Sequence, residues 1–379
     1  MNVLVLGSGL VGRPMAIDLA EDESFRVTVV DFSKNNLDKI PKEMPIIKIE
    51  KDLSDPVQLK ALLEDHDIVL NALPGFMGFN TLKEIIKAKM NVVDISFFPE
   101  NPFDLDNLAK QNSVTAVVDC GVAPGMSNLL AGYVDSILDK TETILIYVGG
   151  LPVIREYPYE YKAGFSPIDV IEEYTRPARY VENGKMVIRQ ALSDSEYINF
   201  PEIGTLEAFN SDGLRTLAFT LNAPYMKEKT LRYPGHIDKM LLLRESGFFS
   251  KDEIDVNGIK IKPIDFTSKL LFPMWELKEG DAEFTVMKVI VEGEKNKKHL
   301  RYTYGLLDHH DEKTNIRSMA RTTGYAATSV LRMIVEGLFD RKGICPPEYI
   351  GQKAECVEFV LNKLKGKGIL YKLTVDNME

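Results

Sequence analysis

Asn2-Val3-Leu4-Val5-Leu6-Gly7-Ser8-Gly9-Leu10-Val11-Gly12 is the stretch on which the reading of the fold turns. Its first five residues form an apolar run of the length expected for a buried parallel strand. Three glycines follow in Gly-x-Gly-x-x-Gly spacing, and a helical pattern then runs to about Ala20. Taken alone, such spacing reads as an ordinary tight turn. Between a strand and a helix it reads as a cradle for a dinucleotide pyrophosphate. Gly7 permits the turn, Gly9 lets backbone approach phosphate, and Gly12 lets helix and strand pack closely. The helix N-terminus adds its dipole to the attraction for the anion. Gly7, Gly9, Leu10, Val11 and Gly12 are thus the first candidate cofactor residues.

Working outward, a second apolar strand over residues 26–30 ends in Asp31. A carboxylate there accepts hydrogen bonds from the adenosine ribose hydroxyls and repels a 2′-phosphate. Phe32 and Ser33 follow without an arginine, and Lys34 is the nearest cation, so the sequence points to NAD rather than NADP. Asp52 follows a weaker strand at 46–50. Asn71-Ala72-Leu73-Pro74 closes the strand at 68–73, on the carboxyl edge of the sheet where open α/β folds bind ligands. Phe32, Asp52, Asn71, Ala72, Leu73 and Pro74 complete the candidate nucleotide set. Further strands at 91–95 and 115–119 alternate with amphipathic stretches at 58–64, 81–89 and 105–111. Strict alternation predicts right-handed crossovers and an α/β Rossmann doubly wound parallel sheet over residues 1–124.

The chain has 379 residues, more than one core usually serves, so a second domain is expected. After Ala123-Pro124-Gly125 the texture changes: a helix at 128–138, a strand at 143–148, and a hairpin of strands 284–291 and 299–306 about a polar turn at 292–296. Leu300, Tyr302, Tyr304 and Leu306 share one face of its second strand. Residues 125–310 read as a mixed α+β catalytic and dimerisation domain. In the remaining segment, 311–379, a helix at 318–337 carries an apolar stripe of Ala327, Val330, Leu331, Ile334 and Leu338 and is expected to return to the nucleotide domain.

The formal charge of -10 argues against a generally nucleic-acid-binding surface and favours small polar metabolites as partners. Cys120, Cys345 and Cys356 lack the number and spacing of a disulfide framework or zinc site. His309-His310-Asp311 reads as a polar turn, so no metal is expected. No leader precedes the first strand, and no apolar run approaches the ~20 residues of a membrane span. These features are those of a soluble cytoplasmic protein.

Longer strings narrow the chemistry. Asp119-Cys120-Gly121-Val122-Ala123-Pro124-Gly125-Met126-Ser127-Asn128, Tyr147-Val148-Gly149-Gly150-Leu151-Pro152, Glu172-Glu173-Tyr174-Thr175-Arg176-Pro177-Ala178-Arg179, Ser211-Asp212-Gly213-Leu214-Arg215 and Thr230-Leu231-Arg232-Tyr233-Pro234-Gly235-His236 span most of the chain. They resemble the saccharopine dehydrogenase-like family, most closely its lysine 6-dehydrogenase branch. The resemblance implies a nucleotide domain joined to a mixed-sheet catalytic domain, assembly as dimers or larger oligomers, and oxidation of an amine at a lysine side chain. In the lysine branch the product aldehyde cyclises to piperideine-6-carboxylate; saccharopine dehydrogenases cleave or form a secondary amine instead. Where saccharopine-forming enzymes carry Asp-Pro-Gly and Asn-Arg-Asp-Ser, this chain has Ala123-Pro124-Gly125 and Asn210-Ser211-Asp212-Gly213. Losing that arginine removes a bidentate anchor for a glutamate moiety, which favours lysine, although Arg215 or Arg232 can compensate.

Amine oxidation requires an unprotonated nitrogen and hence a base. Asp94, at the end of the fifth strand, is the first candidate and Asp119, ending the next, the second; either also reads as a carboxylate capping a turn. Lys162 can serve as a desolvated base or hold a substrate carboxylate. By the resemblance Arg232 binds the amino-acid end of the substrate, and Ser96, Asp212, Arg215 and His236 join the substrate set. Trp275 reads as core, and Cys120 as small and buried. A non-catalytic nucleotide sensor is the rival from another class.

Overall fold

The computed structural model describes residues 1–278 and 280–378. They form two compact units, one of Met1–Ile137 with Ala320–Leu370, the other of Leu138–Met319 with the segment from Tyr371 onward.

In the first unit, strands β1 (Asn2–Leu6), β2 (Arg26–Asp31), β3 (Ile46–Glu50), β4 (Ile68–Asn71), β5 (Asn91–Asp94) and β6 (Thr115–Val117) are joined by a short strand, Gly343–Cys345. The order across the sheet is Gly343–Cys345, β6, β5, β4, β1, β2, β3. Every pairing is parallel. This is the doubly wound order in which the strand direction of travel reverses between β1 and β4, opening a crevice at their carboxyl ends. Leu4, Leu6, Val69, Val92 and Ala116 are fully buried, as strands covered on both faces require.

The boundary between units falls after Ile137 rather than after Pro124. The reason is the helix Met126–Ile137, where Gly132 lies so close to Glu348 that an added Cβ would sit 2.7 Å from its Cα. The long helix Ser318–Val335 is tied to helix α1 (Gly12–Ala20) by a buried ion pair, Arg332 to Asp18 at 2.7 Å, and by Thr328, whose hydroxyl donates to the same carboxylate. The 311–379 segment, expected to bring C-terminal helices back to the nucleotide domain, also carries two strands: Gly343–Cys345 extends the parallel sheet, and Tyr371–Asn377 pairs with Lys298–His309 in the second unit. The last residue of that segment lies outside the described residues.

The second unit is built on a nine-stranded mixed sheet. Its main path runs Glu196–Phe200, Gly204–Asn210, Tyr225–Arg232, Lys140–Pro152, Glu283–Lys295, Lys298–His309, Tyr371–Asn377. Tyr225–Arg232 and Lys140–Pro152 are parallel neighbours and the other neighbours on this path are antiparallel. The hairpin strands are longer than the polarity of 292–296 suggested, with Lys295 paired to Lys298 across a two-residue turn. Tyr302, Tyr304 and Leu306 share a buried face, while Leu338, past the end of its helix, is 36% exposed. Helices Pro167–Thr175, His236–Glu245 and Pro263–Trp275 contribute Val170, Ile171, Tyr174, Ile237, Met240, Leu271 and Trp275 to a core with Leu151, Phe209 and Leu231.

Candidate active site

The glycine loop of the first unit can be tested against the group it is expected to hold. Gly7 has φ 94°, and a Cβ there would lie 2.8 Å from the Ala72 carbonyl oxygen, so only glycine fits. A Cβ at Gly12 would be driven into the Gly7 backbone and lie 3.2 Å from Ala72 Cβ. At Gly9 the same atom would meet nothing within 4 Å. Two glycines therefore close the turn and the third faces open space. Helix α1 begins at Gly12 with no side chain capping its N-terminus and no acidic residue in its first turn; the Arg13 amide donates to the Gly9 carbonyl at 3.3 Å and Pro14 has no amide hydrogen, so within this turn the Gly12 amide is the one left to face an anion. Ser8 is buried, and its hydroxyl has no partner among the described residues. An open cradle, an uncapped helix amide and an orphaned hydroxyl fit a pyrophosphate.

Asp31 closes the cradle from β2. Its Oδ2 accepts from the Ser8 amide at 2.7 Å and its Oδ1 from the Ser33 amide at 2.8 Å, so the carboxylate braces the glycine loop against the turn after β2. Phe32 beside it is 74% exposed, and the Lys34 ammonium is bound to Asp38 at 2.7 Å. Leu10 is exposed and Val11 half-buried; Asp52 is exposed, with its carboxylate accepting from the Ser54 amide.

At the carboxyl ends of β4 and β5, Asp94 is fully buried. The amide and hydroxyl of Ser96 both donate to Oδ1, and Asn71 Nδ2 donates to Oδ2 at 2.8 Å. Asn71 Oδ1 in turn accepts from the Leu73 amide at 3.3 Å. Asp94 thus holds the 71–74 loop whose Ala72 packs on Gly7 and Gly12. Burial pushes its carboxyl up to about 7, against the Ser96 and Asn71 hydrogen bonds that favour the anion. Gly75 and Gly78, on helix Gly75–Lys87, allow this helix to lie directly on Ser96, Phe97 and Phe98. That Gly-x-x-Gly signal was available in the sequence and its use was not. Asp119 is buried in a left-handed conformation (φ 53°), and the neighbouring Cys120 thiol is pushed well up by burial, with Asp94 and Asp119 adding to it.

In the second unit the expected substrate residues are interior and already engaged. Arg232, 2% exposed, donates from Nη2 to Glu173 at 2.5 Å and from Nε to the Tyr174 hydroxyl at 3.1 Å, and stacks 4.3 Å over the Tyr161 ring. Burial works against its charge, but Tyr174, Tyr161 and Glu173 offset it and hold the guanidinium above its ordinary value. His236 opens its helix; Nδ1 donates to the Tyr159 carbonyl at 2.8 Å, leaving Nε2 to accept from Tyr174 Oη at 3.0 Å. Burial and Arg232 push the imidazole down to about 3, so it is neutral. Asp212 is clamped by Arg179 through two bonds of 2.8 Å. Beside it Glu228, buried and pushed up to about 8 by burial, accepts from the Ser211 hydroxyl and the Gly213 amide. Arg215 is buried with φ 51°. Lys162 is buried and paired at 2.9 Å with Glu156, which is 59% exposed.

The structure therefore joins Arg232 to His236 through Tyr174 and binds Asp212 to Arg179; Glu173, Tyr174, Tyr161, Arg179 and Glu228 are the partners that sequence reading did not single out. Trp275 is fully buried, with Tyr161 edge-on at 5.6 Å.

Two family models match the chain. One, described as the saccharopine dehydrogenase NADP binding domain, covers residues 3–117; the other, the saccharopine dehydrogenase C-terminal domain, covers residues 121–369. Among curated relatives, the mitochondrial alpha-aminoadipic semialdehyde synthase of Bos taurus is 24% identical over 98% of this chain and 47% of its own length. The saccharopine dehydrogenase [NADP(+), L-glutamate-forming] of Saccharomyces cerevisiae is 28% identical over 71% of this chain and 62% of its own. Carboxyaminopropylagmatine dehydrogenase of Synechocystis sp. is 22% identical, covering 90% and 91%. The chain thus spans about half the length of the first of these relatives. The apo saccharopine dehydrogenase (L-Glu forming) structure from Saccharomyces cerevisiae superimposes with a TM-score of 0.79, covering 99% of each chain at 21% identity. No helix among the described residues is long and apolar enough to cross a membrane.

Proposed function

Because this chain belongs to the saccharopine dehydrogenase family, we propose that it is a pyridine-nucleotide oxidoreductase that oxidises the ε-amine of free lysine, with NAD as oxidant. The product is the 6-semialdehyde, which cyclises to piperideine-6-carboxylate. With its pyrophosphate held at the Gly7–Gly12 loop, a bound pyridine nucleotide would supply the hydride acceptor. The carbon bearing the amine loses hydride, the nitrogen loses a proton to a base, and water then releases ammonia from the imine.

The commitment of the second unit's cations carries the choice of lysine. Arg232 faces Glu173, Arg179 faces Asp212, and Ser211 stands where the related pattern places an arginine. Saccharopine brings three carboxylates and lysine one, and guanidiniums already paired to buried carboxylates give up those partners at high cost. Lys162 differs from these guanidiniums: its partner Glu156 is on the surface and exchanges readily for a substrate carboxylate, whereas Lys229, paired likewise to surface carboxylates, is held by two of them, Asp194 and Glu196. We assign Lys162 to that carboxylate and Arg232, with His236, to holding Tyr174 and the surrounding wall. Asp94 has both oxygens bound and no exposed surface, which supports a positioning role over that of the base; Asp119 is the other strand-end candidate.

NAD is favoured by the Asp31 carboxylate beside the cradle, which would repel a 2′-phosphate. NADH is expected to bind about tenfold tighter than NADPH, a gap of roughly 1.4 kcal/mol.

Saccharopine remains the second reading, favoured by the names of the relatives and by Arg176, which lies close enough to Arg215 and Arg179 for both to depress its pKa alongside burial. The deciding experiment supplies lysine or saccharopine with NAD or NADP and follows reduced-nucleotide absorbance. Turnover with lysine is expected. Turnover with saccharopine alone moves the assignment to the sister activity, and nucleotide binding without turnover on any amine moves it to a sensor.

A further inference from the structure

Glu228, on strand Tyr225–Arg232, is 4% exposed and lies close enough to Glu173 and Asp212 to feel both charges. Glu173 has Arg232 as its counter-ion and Asp212 has Arg179. Among the described residues Glu228 has no ion-pair partner. Its neighbours on the strand do not supply one: side chains alternate between faces, and Lys227 and Lys229 turn to Glu182, Asp194 and Glu196 on the other side. Arg176 is drawn to Glu172 and Asp212.

The surroundings of Glu228 are nonetheless arranged for an anion. Oε2 accepts from the Ser211 hydroxyl at 2.7 Å and from the Gly213 amide at 3.1 Å. Ser211 has one proton and gives it to Glu228, so in the 2.7 Å contact between Ser211 Oγ and Thr230 Oγ1 the donor is Thr230. Two hydroxyls in series thus point at the carboxyl. Gly213 belongs to the same arrangement, because a Cβ there would be driven into the carboxyl. Oε1, by contrast, has no hydrogen-bond partner among the described residues.

This leaves the unliganded chain with two unfavourable forms. Ionised, Glu228 is a buried charge beside two other carboxylates with no cation opposite it. Protonated, it carries an O–H that finds no acceptor. Burial, with Glu173 and Asp212 adding to it against the Ser211 and Gly213 bonds, pushes the carboxyl up to about 8. A cation set against Oε1 removes both defects at once, since it brings the missing charge and the missing hydrogen bond together.

We propose that Glu228 receives an ammonium group of the substrate, the one that is not oxidised. The assignment rests on the reading of this chain as an oxidoreductase of free lysine, whose α-ammonium keeps its charge while the ε-carbon loses hydride. It deepens that reading by naming a specificity determinant: the site prefers amines that carry a second cation, diamino acids and diamines, over monoamines of the same length.

Calorimetric titration of the full chain loaded with NADH, which permits binding without turnover, tests the assignment. Wild type is expected to bind lysine about tenfold to a hundredfold more tightly than 6-aminohexanoate, which has the same carbon chain and carboxylate but no α-ammonium. Glu228→Gln keeps the shape and an oxygen for Ser211 and Gly213. It should lower lysine to the affinity of 6-aminohexanoate and leave 6-aminohexanoate binding, NADH binding and circular dichroism as in wild type. Glu228→Asp keeps the charge one methylene short and should retain part of the preference. Equal affinities for the two ligands in wild type overturn the proposal, as does a Glu228→Gln chain that loses both ligands alike, the mark of a structural role. Turnover is read separately. Lysine bound with the Glu228-dependent preference but not oxidised fails the lysine-oxidation reading alone; lysine oxidised without that preference fails the Glu228 assignment alone.

Discussion

The glycine loop of the first unit and the arginine cluster of the second hold their polar groups in opposite ways. Around the glycine loop of the first unit, backbone does the work: the Ser8 and Ser33 amides bind Asp31, the Ser96 amide binds Asp94, and the helix amide of Gly12 is left uncapped. In the second unit charge is held by charge, with Arg232 on Glu173 and Arg179 on Asp212. Backbone amides are fixed by the fold itself and stay put when a side chain is changed. A buried ion pair is fixed only by its partner, so removing one member leaves an uncompensated charge. The first arrangement suits a ligand common to many chemistries; the second builds a wall for one substrate.

The largest expected effect breaks the second arrangement. Arg232→Met should cost about 3 kcal/mol of stability, since it strands Glu173 and removes the donor that holds Tyr174. Adding Glu173→Gln removes the stranded charge and should recover most of that loss. Urea unfolding of the three proteins checks it. A single variant as stable as wild type would show that water, not Arg232, solvates Glu173.

The same contrast decides what could be read from the chain. The nucleotide cradle was legible because its parts are contiguous: β1, the three glycines and α1 follow one another, and Asp31 lies at the next strand end. Asp94 and Asn71 each drew attention as strand-end residues, yet the bond between them joins positions on two neighbouring strands and depends on register. In the second unit the determining pairs join distant positions, Arg232 with Glu173 and Asp212 with Arg179, and no local pattern announces them. Arg232 therefore drew attention as a substrate ligand while its bond to Glu173 stayed out of sight. Gly343–Cys345 escaped notice because three residues carry no period, and the hairpin ran past its polar-looking end because strand pairing tolerates Glu292 and Lys295 on half-buried positions.

Within the first unit the glycines sharpen the comparison. Gly12→Ala drives a methyl into the Gly7 backbone, which has no side-chain end to yield, and should cost roughly 1–3 kcal/mol of stability together with nucleotide binding. Gly9→Ala meets nothing in the protein and should leave stability within about 0.5 kcal/mol of wild type, while weakening NADH severalfold because the methyl occupies the pyrophosphate's space. Thermal melts paired with NADH titration separate the two. Equal nucleotide affinity in Gly9→Ala and wild type would remove the loop from the cofactor site.

The smallest effect is a slope. Glu228, a buried carboxyl that accepts from the Ser211 hydroxyl and the Gly213 amide, has its pKa pushed up to about 8 by burial, so the folded chain keeps a proton that the unfolded chain releases near 4.5. Between those values the native state binds more protons, and the contribution to stability falls as pH rises, levelling off above about 8. His236 acts on the acid side in the other sense: neutral in the fold, its ring lowered to about 3 against an ordinary 6.5, it contributes stability that is lost as pH falls through that window. Glu228→Gln imitates the protonated carboxyl and should remove only this fall in stability between pH 4.5 and about 8, at most about 1.4 kcal/mol per pH unit for one proton. Denaturation midpoints of variant and wild type near neutrality and at about pH 8 check this. Parallel midpoints in the two proteins would mean that Glu228 is ionised in the fold, and that the second unit holds this charge as the first does, on the Gly213 amide and the Ser211 hydroxyl alone.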